Sequence, residues 1–253
     1  VKRPAGRGPR VLKTLDRILS RAGACSRTDA RRFIAEGRVR VDGRTARDPE
    51  TWLDPGRSAI QFDGRPLVPA RRAYVLVYKP TGYLTTYRDP KGRKTVYDLL
   101  PGESRYLFPV GRLDLDSSGL LLMTNDSRLA ELLTNPDHEV PKTYLVKASR
   151  LMSDEELGRL ASGVVLKDGP TRPARVARVR EAGGRTVFEI TLTEGRNRQV
   201  RRMVEALDAK VLKLVRLAIG PLRIGDLPIG KTRALTPEEV RKLATPQHRP
   251  SRS

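Results

Sequence analysis

The chain has 253 residues, enough for one large domain or for a small one and a medium one. Its 50 Lys and Arg outweigh 29 Asp and Glu, giving a formal net charge of +21 and a pI near 10.8. That balance calls for a polyanionic partner, with nucleic acid ahead of an anionic membrane surface, because a protein this basic repels itself otherwise. No apolar run approaches the roughly 20 residues that span a bilayer, so no membrane role is expected. The basic segment Val1–Arg10 has no apolar core and does not read as a secretory signal. Cys25 is the single cysteine, so no internal disulfide can form, which fits a reducing cytoplasm. With only His138 and His248 beside it, a Cys/His zinc site and a histidine-based triad are not expected. Carboxylates, Tyr, Lys and Arg are left to do any chemistry.

Residues 1–72 hold 18 Lys and Arg against 8 Asp and Glu, which sets a basic front module apart from the rest. After a basic, disordered tail at 1–11, the module is expected at 12–67. The pattern predicts a helix over Thr14–Ala22, with Leu15, Ile18 and Leu19 on one face and Gly23 as its stop. Ser26 caps a second helix, Arg27–Glu36, which turns Ala30, Phe33 and Ile34 inward. A strand follows at Arg38–Asp42, then an Asp42-Gly43 turn and further short β segments to Leu67. Arg27 and Arg31 share a helix face, and Arg32, Arg38 and Arg40 lie near them. The five form a patch suited to phosphate contacts; a merely solvated helix face is the alternative. Cys25, between the helices, reads as a packed small residue.

A linker at 68–73 leads to a second domain at 74–243. Its predicted elements are a strand Tyr74–Tyr78, a strand Leu120–Met123 and a helix Arg128–Thr134 capped by Ser127. There follow a strand Lys142–Lys147, a helix Ser153–Ala161 and a strand Val187–Thr193. A basic helix Asn197–Leu207, a strand Leu212–Leu217 and a helix Thr236–Leu243, with Pro237 at its first position, complete the domain. Strands dominate and helices interleave irregularly, so the fold class is α+β with a mixed, largely antiparallel sheet. A polar tail at 244–253 is expected to be disordered.

No Gly-x-x-x-x-Gly-Lys-Ser/Thr loop, no Gly-x-Gly-x-x-Gly after a strand and no convincing two-metal acidic cluster is present. What stands out is the polar turn Gly111-Arg112-Leu113-Asp114-Leu115-Asp116-Ser117, which runs into an apolar strand. Asp114 could cap backbone amides, pair with Arg112 on the surface, or act as a covalent nucleophile on a sugar or an electron-poor ring. A partly buried nucleophilic carboxylate needs a cation to keep it ionised. Arg198, Arg201 and Arg202 of the basic helix are the candidates.

These residues, taken with four other segments in order, resemble the pseudouridine synthases of the RsuA-type ribosomal branch. The turn Gly111-Arg112-Leu113-Asp114-x-Asp116-Ser117-x-Gly119-Leu-Leu-Leu resembles the catalytic motif of that family. Lys79-Pro80-Thr81-Gly82, Lys142-Thr143-Tyr144-Leu145-Val146, Glu194-Gly195-Arg196-Asn197-Arg198-Gln199-Val200-Arg201-Arg202-Met203 and Ile219-Gly220-Pro221-Leu222 resemble its other motifs. Glu36-Gly37-Arg38-Val39-Arg40-Val41-Asp42-Gly43, following two short helices, resembles the S4-type RNA-binding module usual in front of them. Ser118 stands where acidic residues or Thr are common. The resemblance implies an S4-like RNA-binding module followed by a pseudouridine synthase domain. It implies ribosomal RNA as partner, isomerisation of a flipped-out uridine, and no cofactor, ATP or metal. Asp114 would be the nucleophile, and Arg201 would pair with it in a buried ion pair. Tyr144 would stack on the base and help remove its C5 proton, while Arg112 would hold the nucleotide out of the stack. Lys79 would shape the pocket, and Asp116 and Ser117 would fix the turn. Tyr78–Leu100 with Asn197–Arg202 looks like the RluB-like large-subunit group; a small-subunit enzyme and a non-catalytic S4-type assembly factor are the alternatives. A cytoplasmic monomer is expected.

Overall fold

The computed structural model describes residues 12–245. The tails expected at 1–11 and 244–253 lie outside the described residues, except that Ala244 ends the last helix and Thr245 caps it. The described chain forms two compact units, residues 12–72 with 103–107, and residues 73–102 with 108–245. Nothing in the sequence marked 103–107 as part of the front unit.

The front unit runs β1 (Lys13–Thr14), α1 (Leu15–Arg21), α2 (Arg27–Ala35), β2 (Val39–Val41), β3 (Arg44–Thr45), β4 (Trp52–Leu53), β5 (Ile60–Phe62) and β6 (Arg65–Pro66). An antiparallel sheet in the order β3-β2-β5-β6 sits beside a β1-β4 pair. The Ser26 hydroxyl accepts from the Asp29 N–H and starts α2, as its sequence predicts. Leu15, Ile18, Leu19, Ala30, Ile34, Val39 and Ile60 form the core, and Cys25 packs into it. Burial, helped by the charge of Asp29, pushes the Cys25 thiol up to about 11, so it is a packing group and not a reactive one.

The second unit continues with β7 (Tyr74–Lys79), β8 (Phe108–Pro109), β9 (Ser118–Thr124), α3 (Ser127–Thr134), β10 (Lys142–Ala148), α4 (Asp154–Ser162), β11 (Val165–Leu166), β12 (Gly169–Pro170), β13 (Arg175–Glu181), β14 (Thr186–Leu192), α5 (Gln199–Glu205), β15 (Val211–Ile219), β16 (Leu222–Arg223), β17 (Thr232–Ala234) and α6 (Pro237–Ala244). Its main sheet has the order β13-β14-β10-β15-β9-β7-β17, with β16 beside β15 and β8 beside β9. All its ladders are antiparallel except β15-β9, so the sheet is mixed and largely antiparallel. Every residue of β9 is buried, which is why its Leu120–Met123 run is continuously apolar and not alternating.

Two hydrophobic clusters flank the parallel seam. One packs α4 and α5 with β10, β14 and β15 through Leu157, Leu160, Phe188, Ile190, Met203 and Val204. The other packs α3 and α6 with β7 and β9 through Leu76, Leu120, Leu122, Leu129, Leu133 and Leu243. Gly119 makes the seam possible. A Cβ there would lie 2.3 Å from the Arg216 carbonyl oxygen and 2.5 Å from its nitrogen, and the residue sits at φ +108. β15 can therefore reach β9 only at a glycine.

Three of the differences from expectation have a plain physical cause. Asp126, not Ser127, caps α3, accepting from the N–H groups of Arg128 and Leu129 while the Tyr74 hydroxyl holds its other oxygen. α5 starts at Gln199, because Arg198 takes a left-handed conformation (φ 47) at its N-cap. β13 was not foreseen: its Arg175–Glu181 sequence is too charged to read as a strand, and it lies at the sheet edge, where charge is tolerated.

Candidate active site

Asp114 sits in a β-turn closed by the Ser117 N–H donating to its carbonyl at 3.1 Å, just before β9. Several neighbours pin this turn. Gly82 N–H donates to the Leu115 carbonyl at 2.8 Å, and the Thr85 hydroxyl to the Leu113 carbonyl at 2.8 Å. Lys79, fully buried at the end of β7, donates its ammonium to the carbonyls of Pro80, Asp114 and Ser117 at 3.1, 2.9 and 2.7 Å. Burial drops the Lys79 pKa to about 8, although Asp114 and Asp116 pull it back upward. Lys79 therefore braces the turn from within and does not line the pocket beside it.

From the helix side, the Arg201 guanidinium donates to the Asp116 carbonyl and the Val211 carbonyl, both at 3.0 Å, and lies 3.2 Å from the Asp116 carboxylate. This corrects the expected ion pair. Arg201 holds Asp116, and Arg198 is the cation near Asp114, at 3.6 Å. The reason is geometric: two backbone carbonyls fix Arg201 behind the turn, while the left-handed backbone at Arg198 leaves its half-exposed guanidinium beside both acids. Burial raises the Asp116 carboxyl, but the Arg198 hydrogen bond and the Arg201 and Arg198 charges outweigh it and hold the group below the ordinary carboxylate range. The same hydrogen bond raises Arg198.

A pocket of about 240 Å³ opens beside the turn. Arg112, Asp114, Lys142, Tyr144, Arg198 and Arg216 line it among others. Tyr144 projects from β10, opposite Arg216 of β15 and Ile190 of β14. Its hydroxyl has no hydrogen-bond partner among the described residues. Glu194 is already occupied by Arg196 and by the Gln199 amide. Arg202 is not brought to the pocket. It points about 100° around α5 from Arg201 and pairs with Asp168 at 2.7 Å. Lys142 and Arg216 were not singled out as site residues. Lys142 could have been found from its spacing, two residues before Tyr144 on one strand, and Arg216 from the charge it places inside an apolar strand.

The five arginines of the expected front-unit patch are each engaged at home. Arg27 and Arg31 reach the buried Asp16 carboxylate at 2.8 and 3.1 Å, and Arg31 also reaches Glu50. Arg32 pairs with Asp29 and Glu36, Arg38 with Asp63 at 2.6 Å, and Arg40 donates to the Gly43 carbonyl. Arg17, Arg21, Arg44 and Arg65 are exposed, and no side-chain partner engages them among the described residues. No group of three or more His, Cys, Asp or Glu that could hold a metal occurs among the described residues, and no helix there is long and apolar enough to cross a membrane.

Residues 73–206 match the RNA pseudouridylate synthase family, and residues 13–57 match the S4 domain. An uncharacterized RNA pseudouridine synthase of Aquifex aeolicus is 39% identical over 90% of this chain and 92% of its own. The ribosomal large subunit pseudouridine synthase B of Bacillus subtilis is 37% identical over 92% of this chain and 96% of its own. A crystal structure of a pseudouridylate synthase aligns with TM-score 0.65 and 29% identity, covering 91% of this chain and 99% of that one.

Proposed function

The chain belongs to the RNA pseudouridylate synthase family, and on that premise we propose that it converts one particular uridine of ribosomal RNA, in the large subunit, to pseudouridine. Asp114 is the nucleophile. Tyr144 stacks on the flipped base and assists removal of its C5 proton, and Arg112, exposed at the rim, holds the nucleotide out of the stack. Arg198 supplies the counter-charge at Asp114, the task first assigned to Arg201. Arg201 and Lys79 act on the geometry of the turn. Large-subunit RNA is favoured by the likeness to the Bacillus subtilis enzyme. The basic charge and the S4 domain hold the RNA, and the protein works as a monomer in the cytoplasm.

The observation that carries the reading is the convergence of Asp114, Tyr144 and a cation on one pocket sized for a single base. Mapping pseudouridine in ribosomal RNA from cells with and without the protein identifies the site and tests the activity. Asp114→Asn is expected to lower isomerisation by more than about 10⁴-fold with RNA affinity nearly intact. Undiminished activity in that variant removes the nucleophile assignment.

A further inference from the structure

Two cations deep in the pocket, Lys142 and Arg216, serve neither the turn nor any acid among the described residues. Lys142 donates to the Val140 carbonyl alone, at 3.0 Å. Arg216 is 3% exposed; its Nε donates to the Leu120 carbonyl at 2.7 Å, and its Nη2 is buried with no hydrogen-bond partner. No carboxylate forms an ion pair with either among the described residues. Arg216 opposes Tyr144 across the β10-β15 ladder, and Lys142 is two residues from Tyr144 on β10. Burial first, and the neighbouring Arg216 charge second, bring Lys142 down to about 8, as expected for two cations held close with nothing to neutralise them. A buried charge left unpaired is costly, so a site that keeps two of them is built for an anion that arrives later.

We propose that Lys142 and Arg216 receive the carbonyl edge of the flipped uracil and stabilise the ring as an anion while it is detached from the ribose. The inference rests on the pseudouridine synthase reading and adds the groups that accept the charge. When the N1–C1′ bond opens, its electron pair stays on the ring and the Asp114 carboxylate bonds C1′. The ring turns, C5 supplies the pair for the new C5–C1′ bond as the Asp114–C1′ pair returns to the carboxylate, the C5 proton leaves with help from Tyr144, and N1 takes a proton up. No co-reactant is needed. Because the charge exists only between the two glycosidic bonds, these cations act on the reaction and little on binding. A backbone phosphate is the other anion in RNA. It stays with the sugar at the mouth of the pocket, whereas Arg216 is almost fully enclosed.

The test uses the full chain and a ribosomal RNA fragment carrying uridine or 5-fluorouridine at the target, with consumption of the target nucleotide measured in single turnover. Fluorine at C5 makes the ring a better anion and so less dependent on the cations. Arg216→Met and Lys142→Met are each expected to slow the uridine reaction about 100-fold. They should slow the 5-fluorouridine reaction by about tenfold or less, with RNA affinity changed by less than about twofold. Equal losses on both substrates mark a structural role and overturn the proposal. So does weakened RNA binding at an unchanged rate, which marks phosphate contacts, and so does full activity. If Arg216→Met fails to fold, the substrate comparison with Lys142→Met decides alone, since its ammonium bonds only one local carbonyl. A wild-type chain that makes no pseudouridine removes the underlying reading. An active wild type, with Asp114→Asn dead and both Met variants unimpaired, removes only this inference.

Discussion

The arginines of the front unit and the cations of the pocket carry the same charge in opposite circumstances. In the front unit Arg27, Arg31, Arg32 and Arg38 each close on an acid a few ångströms away, so much of the patch is internally neutralised. At the pocket Lys79 and Arg201, behind the Asp114 turn, are spent on backbone carbonyls, Arg198 serves two acids, and Lys142 and Arg216 pair with no acid among the described residues. Counting basic residues therefore misplaces the charge available to RNA. What matters is which cations the fold has left without a local partner.

Four experiments break or sharpen this contrast, beginning with the largest effect. Lys79→Met deletes the donor to three enclosed carbonyls, each costing about 1–3 kcal/mol when orphaned. The second unit should lose at least about 3 kcal/mol in denaturant unfolding. Activity should go with it, because the Asp114 turn loses its brace. An unfolding midpoint like the wild type's would show that Lys79 is not structural. Next, Arg201→Met should lower both stability and turnover, since two of its bonds fasten the turn to β15. Arg198→Ala should lower turnover by about tenfold while leaving thermal unfolding nearly unchanged, its ion pairs being half exposed. Reversed outcomes would restore the originally expected partnership of Arg201 with Asp114.

The third concerns pH. Burial raises the Asp16 carboxyl, but hydrogen bonds from Thr14, Arg27 and Arg31 bring it to about 2, below its unfolded value of 3.8. A depressed carboxylate stabilises fully above the unfolded pKa and loses that contribution as pH falls through the folded one. The front unit should therefore lose about 2 kcal/mol between about pH 4 and pH 2, and Asp16→Asn should abolish that slope. A slope that survives in the variant would assign it to other acids. The smallest effect is in salt dependence. Replacing Arg17, Arg21, Arg44 or Arg65 with Ala should each flatten the logarithmic salt dependence of RNA binding by up to about 1 if that cation meets a phosphate, and Arg38→Ala should flatten it less. Equal effects would mean that RNA displaces Asp63 from Arg38.

Local chemistry was legible in the chain itself. Apolar spacing placed α1, α2 and five strands of the main sheet, β7, β9, β10, β14 and β15, Ser26 and Thr236 announced their caps, and ordered motifs brought Asp114, Tyr144 and Lys79 into one hypothesis. The α+β class followed from strands broken irregularly by helices. What the chain could not declare was partnership over distance. Whether Arg198 or Arg201 meets Asp114 turns on a left-handed residue at the start of α5 and on the Val211 carbonyl of β15. That Arg216 enters the pocket depends on β15 running parallel to β9, which needs Gly119 to admit its backbone. Hydrophobic period and capping are properties of neighbours along the chain, so sequence alone determined them. Ion pairing between residues some 80 apart, and the leftover charge it creates, depend on how strands are ordered in space, and only the tertiary structure decided that.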